Sequence, residues 1–372
     1  MINNNEIYLI ANGYQYQNLK SISLHASLEQ LPRSFSISYI DDNQDNILNI
    51  GDSITIETKN DGTIFVGAIG ENIKKSRSAT NHSMEMSGRG AVKDLLDGSA
   101  DIRSSQLPST INLLAQFLCD SKGIQFKNYA KNSDTNNLTT ALNVGCDESP
   151  FAILERAARY EAVIIYDSWL SQFIINDVST APVTTINDGD VTEVNFSQSI
   201  SSRYYSYAVV RSQNSVAQEA GLQPIIDGLA YDPEKDQINS WRRLVIVNSQ
   251  SDGSADYSQR LAEWYANRAY GKATVLEVVI PSWTYATGKP WDINMCVNVE
   301  IPGYYQTSVT KKPLLISEVT LSYSAQEGTE ARLIMTFPEA FSPQPLAISQ
   351  TARTNSGNNN AIMGSVNNNS DG

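Results

Sequence analysis

The stretch Ser34-Phe35-Ser36-Ile37-Ser38-Tyr39 alternates strictly between small polar and large apolar side chains. A period of two residues is that of a β-strand, so the apolar side chains face a core and the serines face water. The same alternation recurs in other short stretches, at residues 22–28, 53–57 and 83–87. Turn-forming residues separate these stretches, at 41–43, 51–52 and 60–62. Residues 1–100 are therefore predicted to form an N-terminal antiparallel β-barrel domain.

The pattern changes to a mixture of helix and strand over residues 101–184, which are predicted to form an α+β middle domain. Apolar residues recur at helical spacing over 107–118, and Pro108 suits the first turn of that helix. Ser149 is expected to cap a second helix, with Pro150 at its first position. Two strands are expected to follow, at 162–166 and 172–175, with a turn between them at 167–171.

The strand pattern returns over residues 185–341, which are predicted to form a second β-barrel-type domain. Its strands are expected at 204–210, 244–247, 275–280, 297–301, 314–323 and 332–337. One inserted helix is expected over 256–271, where Gly271 ends it. The Asn- and Ser-rich segment 342–372 has no apolar period and is predicted to be a flexible tail. The predicted fold class is α+β, mostly β, with two β-barrel domains, an α+β middle region and inserted helices.

The charge balance excludes several classes of function. The 372 residues include 40 Asp and Glu against 27 Lys and Arg, so the formal net charge is −13. Phosphate binding needs a cationic surface, which argues against a general nucleic-acid-binding protein. Three widely separated cysteines, Cys119, Cys146 and Cys296, have no metal-binding spacing and are expected to be buried, reduced thiols. No signal peptide and no run of about 18 apolar residues occur, so neither export nor a membrane span is expected.

Catalytic residues are not evident in the sequence. His25 lies at a polar position of an alternating strand and His82 lies in a polar segment, so both are expected at the surface and not beside a nucleophile. No Gly-x-Ser-x-Gly motif occurs. Carboxylate pairs for glycoside hydrolysis are a matter of three-dimensional spacing, and the sequence favours no particular pair. The chain is therefore predicted not to be an enzyme, with no catalytic residue.

Metal and phosphate motifs are incomplete. Asp41, Asn43 and Asp45 match the start of a calcium loop, but Asn46 and Asp52 stand where glycine and glutamate are needed. The acidic segments 188–190 and 252–256 are interpreted as turns. Gly88 and Gly90 begin a GxGxxG motif that Lys93 breaks. No metal and no cofactor are predicted.

Two further clusters have ordinary structural interpretations. Five aromatic residues could stack on sugars but are interpreted as core and interface residues: Trp241, Trp264, Trp283, Tyr285 and Trp291. A local ion-pair network is expected among Arg89, Asp94 and Asp97. A β-rich, weakly charged chain without evident chemistry is typical of an assembly component, in which edge strands and exposed aromatic residues are contact surfaces.

Five stretches of the sequence, in this order, carry a family resemblance. The first is Asn49-Ile-Gly-Asp52 with the strand and turn that follow as far as Gly67. The others are Gly88-Arg-Gly-Ala-Val-Lys-Asp-Leu-Leu-Asp-Gly-Ser-Ala100, Asp147-Glu-Ser-Pro-Phe-Ala-Ile-Leu-Glu-Arg-Ala-Ala158, Glu263-Trp-Tyr-Ala-Asn-Arg-Ala269 with Lys289-Pro-Trp-Asp292, and Leu314-Leu-Ile-Ser-Glu-Val-Thr-Leu321 with Pro338-Glu-Ala-Phe341. Together they resemble the Mu-type baseplate hub proteins of contractile-tailed bacteriophages. Gly90 departs from the family, where Asp is usual, and so does Gly98, where Cys is common.

The resemblance implies a structural hub without catalysis. In that family two tail-tube-like barrels per chain form a trimeric, pseudo-sixfold ring that joins the hexameric tail tube to the trimeric central spike. The ring leaves a channel in which DNA is only in transit, and no direct membrane binding is expected. The implied location is the tail baseplate of a virion assembled in the host cytoplasm. Gly67 and Gly88 are expected to allow turns, and partner-binding residues cannot be named.

Two alternatives remain open at the level of sequence. One is the hub of a genome-free, phage-like injection particle (a tailocin), which gene neighbourhood would distinguish from a phage. The other is a tail-associated carbohydrate-binding or glycan-hydrolysing protein, for which the tryptophans and the abundant carboxylates are the support.

Overall fold

A computed structural model describes residues 6–16, 18–40, 48–77, 82–101, 107–131, 138, 142, 144–145, 147–211, 226–248 and 255–345. The strands are β1 Ile7–Ala11, β2 Tyr14–Tyr16, β3 Leu19–Ser27, β4 Ser34–Ile40, β5 Ser53–Thr58, β6 Gly62–Arg77, β7 His82–Arg89, β8 Phe126–Asn128, β9 Ile164–Asp167, β10 Phe173–Asn176, β11 Pro182–Asn187, β12 Glu193–Gln198, β13 Ser206–Arg211, β14 Ile226–Tyr231, β15 Arg243–Asn248, β16 Thr274–Ile280, β17 Thr284–Ala286, β18 Lys289–Pro290, β19 Cys296–Ile301, β20 Tyr305–Gln306, β21 Leu314–Ser324 and β22 Gly328–Thr336. The helices are α1 Lys93–Leu96, α2 Ile111–Asp120, α3 Pro150–Glu161, α4 Ala255–Lys272 and α5 Thr307–Thr310, with short 3₁₀ turns at Asp188–Asp190, Lys235–Gln237 and Pro338–Phe341. The prediction of a mostly β fold with a few helices is confirmed.

One sheet of fourteen strands runs through both β-rich regions. Its main path is β12-β16-β22-β21-β3-β4-β7-β6-β5-β1-β2, and β11, β19 and β20 join it beside β21. The two regions meet where β21 pairs antiparallel with β3, with Leu321 opposite Leu24 and Thr320 opposite His25. Nearly three hundred residues of chain separate these partners, so the N- and C-terminal β regions share one sheet and one core.

The alternation seen in the sequence determines which side of this sheet is buried. Phe35, Ile37 and Tyr39 of β4 are at most 3% exposed, and the serines between them lie on the opposite face. The core beneath the sheet also receives Trp169 and Tyr166 from the middle region. Burial of these large apolar side chains is the main stabilising contribution to the sheet.

The middle region has a core of its own. Helices α2 and α3 pack on a three-stranded sheet in the order β8-β10-β9. Ser149 caps α3 by accepting a hydrogen bond from the Ala152 N–H, and Pro150 occupies the first turn, as predicted. The expectation for Pro108 was wrong, because α2 begins at Ile111 and Thr110 is its cap. The hydroxyl of Thr110 accepts a hydrogen bond from the Leu113 backbone N–H. Pro108 has no hydroxyl group and cannot form such a cap.

The region between β12 and β16 forms a separate α/β layer. Strands β14-β13-β15 form a mixed sheet of their own instead of joining the fourteen-stranded sheet, and one face packs on α4. Helix α4 confirms the predicted helix, but Gly271 lies inside it and does not end it. A Cβ at Gly271 would lie 2.7 Å from the Cα of Ala340, so glycine is needed there for close approach. Of the predicted tail, residues 346–372 lie outside the described residues.

Candidate assembly surface

The solvent face of the large sheet is continuous over eight strands, β12-β16-β22-β21-β3-β4-β7-β6. All neighbouring strands in this run are antiparallel. Because directly opposed residues share a face, the pairing register identifies the row of side chains across it. One such row is Glu330, Ser322, Ser23, Ser36, Ser87 and Asn72.

Short polar side chains dominate this face, which we call the serine face. On the four central strands its residues are Ser324, Ser322, Thr320 and Glu318 of β21, Ser21, Ser23, His25 and Ser27 of β3, Ser34, Ser36, Ser38 and Ile40 of β4, and Ser83, Glu85, Ser87 and Arg89 of β7. Serine and threonine project little from a sheet and carry no charge. The centre of the serine face therefore has a low relief, and Glu318, Glu85 and Arg89 are its fully charged side chains on these four strands.

The charges on the serine face are largely paired. Lys74 lies 3.8 Å from Glu85, and Arg332 pairs with both Glu277 and Glu193. His25 Nδ1 lies 3.2 Å from the hydroxyl of Thr320 and 3.7 Å from Glu318. His25 is thus a half-buried strand histidine on a polar face, close to the prediction of a surface position.

Each end of this eight-stranded run carries a free strand edge. Strand β12 is the last strand at one end, and within the described residues it pairs only with β16. At the other end, β6 pairs with β5 only as far as Ala68, whereas its pairing with β7 continues to Arg77. Among the residues that the structure describes, the outer edge of β6 from Asn72 to Arg77 has no strand partner. Free edges of this kind expose backbone N–H and C=O groups that can pair with another strand.

Gly67 and Gly88 allow close packing under this sheet. The expectation that they allow turns was wrong. Gly67 and Gly88 lie within β6 and β7. A Cβ at Gly88 would overlap the Ala68 carbonyl oxygen of the neighbouring strand and lie 2.8 Å from the Phe35 ring, and one at Gly67 would lie 2.7 Å from the Phe65 ring. These rings pack edge to face at 5.5 Å, so both glycines serve close approach to the aromatic core.

A buried guanidinium connects the two β regions to the middle region. Arg33 precedes β4, and its side chain is 1% exposed. Its Nε donates to the backbone oxygen of Asp167 at 3.0 Å, its backbone N–H donates to the Asp167 carboxylate at 2.9 Å, and its terminal nitrogen lies 2.6 Å from Asp292. The guanidinium carbon also lies 4.3 Å above the ring of Trp169.

The turn predicted at 167–171 is confirmed, between β9 and β10. Its side chains also contact the two β regions around Arg33, and we call this contact the Arg33 junction. Trp169 donates its indole N–H to the Trp291 carbonyl at 2.8 Å, and Ser171 donates to the Val66 carbonyl at 2.6 Å. Burial raises the pKa of the Asp167 carboxyl above its ordinary value, and the Arg33 guanidinium opposes that rise. Sequence reasoning missed this junction, because an arginine after a proline and an aspartate in a turn carry no sign that they will meet.

The other predicted residues are mostly in ordinary structural positions. Residues Asp188–Asp190 form a 3₁₀ turn, which agrees with their interpretation as a turn, and the Asp190 carboxylate accepts from the Asn187 backbone N–H at 2.9 Å. Arg89 pairs with Asp97 at 2.6 Å and with Glu71 at 3.0 Å, which confirms one predicted ion pair. Some residues considered in the sequence analysis lie outside the described part of the structure: Asp41, Asn43, Asp45, Asn46, Cys146 and Asp252. The side chain of His82 is likewise not described. Within the described part of the chain, no group of three or more His, Cys, Asp or Glu could hold a metal ion.

The aromatic residues do not form one sugar-binding platform. Trp283 and Trp291 are buried in the main core, at 3% and 4% exposure, whereas Trp241 is 76% exposed on the inserted layer. Trp264 donates to the Ser342 carbonyl at 2.7 Å beside α4. Trp283 and Trp291 are therefore core residues, as interpreted, whereas an interface role for the exposed Trp241 stays a prediction.

A second exposed surface lies on the inserted layer. The face of β14-β13-β15 that points away from α4 carries exposed apolar side chains: Ile226, Leu229, Tyr231, Val245 and Val247. Contiguous apolar exposure of this kind is typical of protein contact surfaces. None of the helices that the structure describes is long and apolar enough to cross a membrane.

Known proteins resemble this chain both in sequence and in fold. Residues 6–90 match the family model described as Mu phage baseplate assembly protein GpP-like, N-terminal. The resemblance to Mu-type baseplate proteins is confirmed. No curated protein sequence matches the chain.

Solved structures share the fold over nearly the whole chain. The 43 kDa tail protein of prophage MuSo2 from Shewanella oneidensis is 21% identical, with a TM-score of 0.75 over 92% of this chain and 100% of that one. A tail protein from Neisseria meningitidis MC58 is 13% identical, with a TM-score of 0.68 over 91% of this chain and 98% of that one. The E. coli c3393 protein is 12% identical, with a TM-score of 0.51 over 91% and 80% of the two chains. It is described as a component of the type VI secretion system with structural similarity to the T4 tail proteins gp27 and gp5. The chain therefore shares the fold of these tail proteins.

Proposed function

We propose that the chain is the structural hub of a contractile phage baseplate. Three copies form a ring that joins the hexameric tail tube to the trimeric central spike and leaves a channel for the genome. The observation that carries this proposal is the eight-stranded run, which has one polar face and a free edge at each end. The match of residues 6–90 to a baseplate family model supports the same role.

The arrangement of the sheet suits a change of symmetry. Strands β3, β4, β7 and β6 come from the N-terminal β region, and β12, β16, β22 and β21 come from the C-terminal one. Each chain thus contributes two four-stranded units side by side, and three chains present six. A ring with threefold symmetry and six similar units can match a sixfold tube on one side and a threefold spike on the other.

The serine face would line the channel. Twenty-four strands at a spacing of about 4.8 Å make a ring roughly 37 Å across between backbones, and strand tilt widens it. Short hydroxyl side chains leave that space open. Because the lysine and arginine residues on this face are paired with carboxylates, the lining has little free positive charge with which to hold phosphate groups.

The remaining surfaces are assigned to partners. The similarity of the c3393 protein to tail proteins is consistent with a place between tube and spike. The exposed apolar face of β14-β13-β15 is suited to another baseplate protein. The proposed role is not catalytic and uses no cofactor, and the protein acts in the virion after assembly in the host cytoplasm.

The mass of the protein in solution tests this proposal. Light scattering after gel filtration, over a concentration series, is expected to give about 123 kDa, three times the chain mass of 40.9 kDa. Negative-stain images of that species should show a central hole. A protein that stays monomeric alone and also fails to bind tail-tube or spike proteins under assembly conditions would overturn the hub assignment.

A further inference from the structure

We infer that the outer edge of β6 in one copy pairs with the outer edge of β12 in the next, with Lys74 opposite Glu193. This inference rests on the proposed trimeric ring and names the contact that closes it. The occupant of each free edge is a second copy of this chain.

Strand direction is the first argument. The run from β12 to β6 contains eight strands, each antiparallel to the next. With an even number of strands, the two terminal strands run in opposite directions. When a rotation about the ring axis places β12 of the next copy beside β6, the new pair is again antiparallel, and the sheet continues without a break in pattern.

The side chains on the two edges are complementary. The exposed β6 edge carries Lys74, which is 68% exposed, and Lys75, whereas β12 begins with Glu193, which is 52% exposed. Two β6 edges placed against each other would bring lysines together. The charges therefore disfavour a twofold contact between identical edges and favour a head-to-tail contact between different ones.

The pleat allows this register. Lys74 and Glu193 both lie on the serine face, since Lys74 opposes Glu85 and Glu193 opposes Val279, which in turn opposes Arg332. Pairing them also places Ile73 opposite Val194 on the core side, so that both faces of the sheet stay continuous. Within one chain, the cross-strand row that begins at Glu193 passes through Thr320 and His25 and ends at Ala68 of β6, six residues before Lys74. The register therefore needs a stagger between copies, as the tilted strands of a closed barrel require.

Charge exchange tests the pair directly. Lys74→Glu and Glu193→Lys should each weaken association. The double exchange Lys74→Glu/Glu193→Lys should recover part of the loss, because the new charges attract across the contact but lie beside Glu85 and Arg332 within each chain. Because a like-charge pair costs about as much as an opposite-charge pair contributes, each contact should weaken roughly fivefold, which over three contacts raises the concentration of half-assembly about tenfold. Lys59→Glu is the matched control, since Lys59 is 60% exposed and lies away from both edges, and it should leave assembly unchanged.

Cross-linking tests the register and the head-to-tail arrangement. With Cys146 replaced by serine, Ile73→Cys/Val194→Cys should form intermolecular disulfides under mild oxidation, with bands that end at three chains. Each single cysteine variant should stay uncross-linked alone, because its edge never meets its own copy. Mixing the two single variants should give dimers.

The outcomes separate this contact from the ring itself. If light scattering gives a trimer but the charge exchanges are neutral and the double cysteine variant does not cross-link, the contact is wrong and the hub proposal stands. If a single cysteine variant cross-links to itself, the head-to-tail contact is overturned. If the chain stays monomeric and no disulfide forms at high concentration, a second copy does not occupy these edges.

Discussion

Replacing Arg33 by methionine should destabilise the junction between the two β regions strongly at neutral pH. The side chain of Asp167 is 0% exposed, and Arg33 is its charged partner, with Nε 3.3 Å from the carboxylate. Removing one partner of a buried ion pair costs about 3–5 kcal/mol, because the other charge stays buried without compensation. The backbone N–H of Arg33 still donates to the Asp167 carboxylate in the variant, so a loss near 3 kcal/mol, the low end of that range, is expected.

The loss should depend on pH in a defined direction. Burial already raises the pKa of Asp167 above its ordinary value of 3.8, and removal of the guanidinium raises it further. A group with a raised pKa in the folded state contributes stability that is present at low pH and is lost as pH rises through that pKa. The deficit of Arg33→Met relative to the parent protein should therefore be largest at pH 7 and should shrink as pH falls toward 4.

Urea unfolding followed by tryptophan fluorescence measures both effects, because Trp169 lies directly beneath the guanidinium. The double variant Arg33→Met/Asp167→Asn should lose less, about 1 kcal/mol, because Asp167 no longer carries a charge and Asp292, the other partner of Arg33, is 27% exposed to water. Lys59→Met, which breaks an exposed ion pair, should leave the unfolding midpoint unchanged. An Arg33→Met midpoint equal to that of the parent at pH 7, or a deficit that is the same at pH 7 and pH 5, would refute this reasoning.

Two further predictions follow from packing and from burial. Gly88→Ala should lower the free energy of unfolding by about 1–3 kcal/mol, because the new methyl group overlaps the Ala68 carbonyl oxygen and the Phe35 ring, and a thermal melt should show the loss. Gly98→Ala, with open space around its Cβ, is the control and should melt like the parent; equal melting of both variants would contradict the overlap. Burial raises the pKa of Cys119 to about 12 and that of Cys296 to about 11, so neither thiol should react with a thiol reagent at pH 8 until the protein is unfolded. Rapid labelling of either in the native protein, detected by peptide mass, would show that the burial is wrong.

The candidate site was partly accessible from the sequence. The alternation in Ser34 to Tyr39 predicted both the buried face and the polar face of β4, because the period of two is a property of one strand. The cap of α3 was also predictable, since Ser149 and its bonding partner lie three residues apart. By contrast, the sequence interpretation of Gly88 as a turn residue and of Gly271 as a helix end was wrong. Glycine is needed at these positions because a Cβ would collide with Ala68 and Ala340, respectively, and both neighbours are distant in the chain.

The sequence by itself determined many of the strands, with their inward and outward faces, and the absence of recognisable catalytic motifs, but it did not predict β6 or β12. Only the tertiary structure decided that β21 pairs with β3 and that β13 to β15 leave the main sheet. It also decided that β12 and the Asn72–Arg77 part of β6 each have one unpaired edge within the described residues. The physical reason is that the backbone hydrogen bonds of a sheet are the same for every sequence. Which strand lies beside which is set by packing summed over the whole core, so a strand edge can be recognised as free only when all the other strands have been placed.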